Sequence, residues 1–134
     1  MTVAIVRLYR LGMLVGLALA SAGCGSAAPK LVPVGGRVLY ADGRPVTAAS
    51  ICFTPDAADG NGGKLATSLL MEDGTFELRT YPDGDGAMIG PYKVTVSLGR
   101  GTPRNLAQYT RLKDTPFTID VPPEGRNDLI IMLR

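Results

Sequence analysis

The side chains that most often carry catalysis are sparse in this chain. Histidine is absent from all 134 residues, which excludes Ser-His-Asp and Cys-His arrangements and every histidine-ligated zinc site. A serine nucleophile with a lysine base stays formally open, but Ser50, Ser68 and Ser97 lie in predicted strands without a nucleophile-elbow motif. The sequence therefore predicts that the protein is not an enzyme and needs no cofactor.

Two glycine-rich acidic stretches offer the oxygen ligands that calcium prefers. The first contains Asp56, Asp59 and Asn61, and the second contains Asp83 and Asp85. Neither stretch has the alternating aspartates and distal glutamate of a dedicated calcium loop. Because Asp-Gly and Asn-Gly pairs are also typical of turns, plain loops are the favoured interpretation. Binding of calcium or a small ligand by loops 56–61 and 83–85 is the alternative.

A basic cluster lies in the longest connection between predicted strands. It comprises Arg100, Arg104, Arg111 and Lys113, against a single acidic residue, Asp114. Such a cluster could contact anionic polysaccharide or lipid headgroups. A solvated loop surface is the favoured interpretation.

The N-terminal segment ends at the first of two cysteines. Arg7 and Arg10 precede an uncharged run of 12 residues, Leu11 to Ala22, and small residues lead into Cys24. This order is typical of an export signal, and the run is shorter than the roughly 20 residues of a membrane span. The residues Leu19-Ala-Ser-Ala-Gly-Cys24 resemble a bacterial lipobox. A buried or interfacial N-terminal helix is the alternative.

The lipobox resemblance implies where the mature chain begins and where it goes. Residues 1–23 would be removed and Cys24 would carry the lipid, which leaves 111 residues with 12 basic and 12 acidic side chains. This neutral balance argues against a nucleic-acid partner. Gly25 stands where aspartate signals inner-membrane retention in many Gram-negative bacteria, so the outer membrane, on its periplasmic or surface face, is favoured. Residues 24–33 are predicted to be a flexible tether.

From Val34 to the end of the chain, apolar residues alternate with polar ones. In the clearest strand, Tyr92, Val94 and Val96 point inward, because side chains at alternate positions share a face. Outward positions there are Lys93, Thr95 and Ser97. Asp-Gly turns at 42–43 and 73–74 separate other strands, and a short helix is predicted after Pro103. Seven short strands with little helix predict one all-β domain, an antiparallel β-sandwich over 34–134.

Six motifs occur in a characteristic order. They are Val34-Gly-Gly-Arg-Val38, Asp42-Gly-Arg-Pro-Val46, Ile51-Cys-Phe-Thr-Pro55, Asp73-Gly-Thr-Phe-Glu-Leu78, Gly84-Asp-Gly-Ala87 and Gly90-Pro-Tyr-Lys-Val-Thr-Val96. That order resembles the carboxypeptidase regulatory-like domain, a transthyretin-like sandwich of seven strands, as found in small single-domain bacterial lipoproteins. The resemblance implies a non-catalytic role and transfers no active-site residue.

The last predicted strand has apolar residues on both faces. Its inward residues are Leu129, Ile131 and Leu133, which leaves Ile130 and Met132 facing the other way. The favoured cover for this pair is the short helix, through Leu106, Tyr109 and Leu112; the alternative is a partner protein. The sequence thus predicts a monomeric, lipid-anchored envelope module that contacts an envelope protein or a polysaccharide.

Overall fold

The computed structural model describes residues 30–56, 63–82 and 85–134. Within these residues the fold is all-β, with nine strands and one short 3₁₀ helix. The strands are β1 (Leu31–Val32), β2 (Val34–Tyr40), β3 (Ser50–Pro55), β4 (Ala66–Leu69), β5 (Thr75–Glu77), β6 (Ala87–Met88), β7 (Gly90–Ser97), β8 (Thr118–Val121) and β9 (Arg126–Leu133), and the helix spans Arg104–Thr110. Cys24, Asp59 and Asp83 lie outside the described residues, as does the proposed export signal.

The strands form three sheets. Their orders are β5-β2-β9, β4-β3-β7-β8 and β1-β6. The pairing of β2 with β9 is parallel, whereas the other strand pairs of these sheets are antiparallel. The prediction of a wholly antiparallel arrangement is therefore wrong at this pair. Alternation of apolar residues indicates which face of a strand is buried, but it carries no information about the direction of a neighbour distant in sequence.

Buried side chains of the two larger sheets pack into one hydrophobic core. Phe53 of β3 contacts Phe76 of β5 across the sheets, with ring centroids 6.3 Å apart, and Tyr92 of β7 lies 5.8 Å from Phe53. The inward residues predicted for β9, namely Leu129, Ile131 and Leu133, are buried. Tyr92, Val94 and Val96 of β7 are buried as well, so the predicted inward faces of β7 and β9 are confirmed.

The domain begins before Val34. Leu31 and Val32 form β1, which pairs with Ala87 and Met88 of β6, and the Val32 side chain is buried. A Cβ at Gly86 would lie 2.0 Å from the Val32 carbonyl oxygen, so the two segments touch through their backbones. The end of the predicted tether at residue 33 is therefore too late. A two-residue strand is too short to produce a recognisable alternation.

The predicted helix is present but covers a different surface from the one expected. Leu106 and Tyr109 are buried, and the helix packs on β7. The Tyr109 ring stacks on Phe117 with centroids 5.2 Å apart. Ile130 remains 59% exposed, so the predicted internal cover over it is wrong. Leu112 lies beyond the helix and is 44% exposed, because a 3₁₀ helix that ends at residue 110 no longer carries it toward the core.

Candidate functional site

The acidic side chain at residue 85 is engaged within its own loop. One carboxylate oxygen of Asp85 accepts hydrogen bonds from the backbone N–H groups of Thr80 and Tyr81, at 3.1 and 3.3 Å. The Thr80 hydroxyl donates to the Gly86 carbonyl at 2.8 Å. These contacts are those of an aspartate that closes a turn, the favoured interpretation from sequence.

The remaining calcium candidates do not form a metal cluster among the residues that the structure describes. Asp56 is half-buried at the end of β3, and its backbone N–H donates to the Pro91 carbonyl. No group of three or more histidine, cysteine or acidic residues suited to a metal occurs within 30–56, 63–82 and 85–134. Because Asp59 and Asp83 lie outside these ranges, calcium binding by the two loops stays a prediction.

An open cleft of about 710 Å³ lies on the outer side of the four-stranded sheet. We call it the basic cleft, and its lining residues are Thr54, Pro55, Asp56, Lys93, Arg111, Leu112 and Lys113. Thr54 and Lys93 are directly opposite each other in the β3–β7 register. The side chains of Thr54 and Lys93 point outward, because their strand neighbours Phe53, Tyr92 and Val94 are buried in the core and side chains alternate between the two faces.

The basic cleft has three walls, which are the end of β3, strand β7 and the segment that follows the 3₁₀ helix. The third wall, residues 111–115, is held by hydrogen bonds. The backbone N–H groups of Asp114 and Thr115 both donate to the Arg111 carbonyl, at 3.1 and 3.0 Å. The Thr115 hydroxyl donates to the carbonyl of Val94 in β7, and the Val94 N–H donates to the Phe117 carbonyl. This network fixes residues 111–115 against the sheet.

The structure divides the basic cluster predicted from sequence. Arg111 and Lys113 line the basic cleft, whereas Arg100 and Arg104 are exposed elsewhere on the connection and do not line it. The sequence did not associate Lys93 with this cluster. Only the β3–β7 register and the path of residues 111–115 bring Lys93 to the other two cations, and neither can be inferred from local pattern.

The predicted partner surface on β9 is a small apolar pair beside a cation. Ile130 is exposed and Met132 is half-buried; their register partners in β2 are Arg37 and Leu39. Parallel register partners point to the same side of a sheet, so these four residues share the outer face of the three-stranded sheet. This patch adjoins the outer edge of that sheet, because β9 is its terminal strand.

A second exposed apolar surface lies along β4. Leu65, Leu69 and Met71 are 52%, 76% and 64% exposed. They alternate with the buried residues Ala66 and Leu70, and β4 is an edge strand of the four-stranded sheet. The sequence analysis did not single out these side chains as a surface.

Cys52 lies next to the basic cleft and not in the core. It is a free, half-buried thiol on the outer side of β3, with its sulfur 3.7 Å from the Thr54 hydroxyl oxygen.

Comparison with protein-family models, with curated proteins and with solved structures finds no match. Among the helices of the described residues, none has the length and apolar character to cross a membrane.

Proposed function

We propose that the protein is a lipid-anchored module of the bacterial cell envelope that acts by contact and not by catalysis. The observation that carries this proposal is the sequence up to Cys24, a charged and then apolar leader that ends in small residues. Such a leader is the form of an export signal. The absence of histidine supports a non-catalytic role, because it excludes the commonest general base.

The start of the described domain supports a short tether. Six residues separate Cys24 from Leu31, the first residue of β1. A chain of that length, fully extended, spans at most about 25 Å. A lipid on Cys24 would therefore hold the domain close to the membrane surface, facing either an envelope protein or a polysaccharide.

We also propose that the domain is a transthyretin-like sandwich of seven strands. The three strands of β5-β2-β9 and the four of β4-β3-β7-β8 supply that number, with β1 and β6 as an additional ribbon. Packing of Phe53 against Phe76 across the two sheets supports a sandwich arrangement. The six sequence motifs from Val34 to Val96 support the choice of this fold.

Lipidation is tested by mass spectrometry of the full chain expressed in a bacterial host that processes lipoproteins. We expect a mature N-terminus at Cys24 with a diacylglycerol thioether, and we expect Cys24→Ala to abolish it. Firm membrane association requires more than one acyl chain, so the wild-type protein should also fractionate with membranes. Cys52→Ala is the matched control and should leave the lipid in place. Wild-type protein that keeps Met1 and stays in the soluble fraction would contradict the proposal.

A further inference from the structure

We propose that the basic cleft binds an anionic saccharide, a sugar chain that carries carboxylate groups. This inference deepens the proposed contact function, and its biological setting rests on that function. Its evidence is separate, because it depends on Lys93, Arg111 and Lys113 in the described domain and not on the N-terminal segment.

The charges of the cleft favour an anion. Three cationic side chains line it together with one carboxylate, that of Asp56. The Arg111 guanidinium also contacts Asp114 at 3.2 Å, but this pair is exposed to solvent and contributes little to stability. One guanidinium carries five N–H donors, and the bond to Asp114 uses one of them. Arg111 therefore retains donors with which to bind a carboxylate.

The apolar part of the lining favours an organic ligand over an inorganic ion. Leu112 is 44% exposed between Arg111 and Lys113, and Pro55 lies on the β3 side. A free phosphate would gain nothing from these two side chains, whereas a sugar ring has an apolar C–H face that can cover them. The Thr54 hydroxyl adds a group that both donates and accepts hydrogen bonds.

Size and rigidity suit the same class of ligand. A volume of about 710 Å³ falls within the roughly 300–1,000 Å³ that is usual for small-molecule sites. The hydrogen bonds to the Arg111 carbonyl and from Thr115 to Val94 hold the third wall in place. A preformed wall lowers the ordering cost of binding. The cleft can therefore bind a short sugar segment without refolding of the loop.

The test is calorimetric titration of the full chain, purified in detergent, with a tetramer of galacturonic acid. We expect saturable binding that Lys93→Gln combined with Lys113→Gln weakens at least fivefold. Arg100→Gln combined with Arg104→Gln is the matched control, since it also removes two positive charges, from exposed positions that do not line the cleft. The control should bind within twofold of wild type, and Leu112→Ser should weaken binding without any change of charge.

The probes separate this ligand class from others. Neutral maltotetraose should not bind. Glycerol 3-phosphate, a water-soluble stand-in for a lipid headgroup, should bind more weakly than the tetramer; equal or tighter binding would identify a headgroup site and overturn the proposal. Absence of tetramer binding, or an equal loss in both double variants, would also overturn it. Because the titration is made in detergent, its result is independent of whether Cys24 is lipidated, which the N-terminal mass reports separately.

Discussion

The two Asp-Gly turns have the same local geometry but different roles in the fold. In the turn 42–44, a carboxylate oxygen of Asp42 accepts the backbone N–H two residues ahead at 3.0 Å. In the turn 73–75, Asp73 makes the equivalent bond at 3.1 Å. The central glycines have φ angles of +85° and +78°. Local sequence therefore forms both turns by the same means.

The difference lies in what surrounds each glycine. A Cβ at Gly43 would meet nothing within 4 Å, whereas one at Gly74 would lie 2.6 Å from the Val38 carbonyl oxygen. Val38 also donates its N–H to the Gly74 carbonyl at 2.9 Å. The first turn is thus an exposed loop tip, and the second is docked on β2. Identical local signals do not reveal which turn carries tertiary contacts.

The largest difference in stability between the two turns is expected when each central glycine is replaced by alanine, with Gly74→Ala the more damaging change. A positive φ strains alanine, and its methyl group would clash with the backbone of β2, so we expect a loss of about 2–4 kcal/mol in the free energy of unfolding. Gly43→Ala has the strain without the clash and should cost about 1 kcal/mol. Urea unfolding of the two variants measures the difference. Equal losses would show that the second turn is not docked.

A smaller effect is expected from the side chain that holds the second turn. The Arg37 guanidinium donates two hydrogen bonds to the Asp73 carbonyl, at 3.2 and 3.0 Å. Arg37→Gln cannot reach this oxygen and should cost about 1 kcal/mol. Arg44→Gln is the control, because the Arg44 side chain contacts Asp42 within its own turn. Chemical denaturation should show a smaller loss for the control, and the reverse order would contradict the docked interpretation.

The smallest expected effect is the loss of folding stability at low pH, as the carboxyl groups of the two turns are protonated. Hydrogen bonds from the hydroxyl and the N–H of Thr75 lower the pKa of Asp73, and the backbone N–H and then the guanidinium of Arg44 lower the pKa of Asp42. A carboxyl group whose pKa is lowered by folding stabilises the folded state above its unfolded pKa, near 4. That contribution is lost as the pH falls through the folded pKa.

The two carboxyl groups should respond differently to salt. Salt screens the exposed pair of Asp42 and Arg44, so it should raise the pKa of Asp42 toward its ordinary value. The pKa of Asp73 should change less, because both of its main donors are neutral groups of Thr75, whereas the second main donor to Asp42 is the charged Arg44 guanidinium. Carboxyl chemical shifts followed by NMR from pH 6 to 2, at low and high salt, measure both. A larger shift for Asp73 would mean that Arg37, and not Thr75, dominates its environment.

What the sequence predicted well is what depends on neighbouring residues. Alternation predicted the inward faces of β7 and β9, since a buried face imposes a period of two on each strand. The Asp-Gly pairs gave both turns, and Thr102-Pro103 gave the start of the helix region. These features need no knowledge of distant contacts.

What the sequence did not predict depends on pairing between distant segments. The strands that flank the turn 73–75 resemble a hairpin, yet β4 joins the four-stranded sheet and β5 the three-stranded one. The Glu77 N–H of β5 donates to the Ser68 hydroxyl of β4 at 3.3 Å, and an isolated bridge joins Thr67 to Arg79, which lies just after β5. The approach of Lys93 to Arg111 and the parallel pairing of β9 are of the same kind. Such contacts arise from the chain path and not from local propensity.

The hydroxyl group of Tyr109 also protects the end of an edge strand. It donates to the Arg134 carbonyl at 2.8 Å and accepts the Arg134 N–H at 3.0 Å. Arg134 directly follows β9, the terminal strand of its sheet. An additional strand would need those same two backbone groups to extend the ladder, and open ladders promote aggregation. One phenol thereby occupies the place of a neighbouring strand and stops sheet growth at that end of β9.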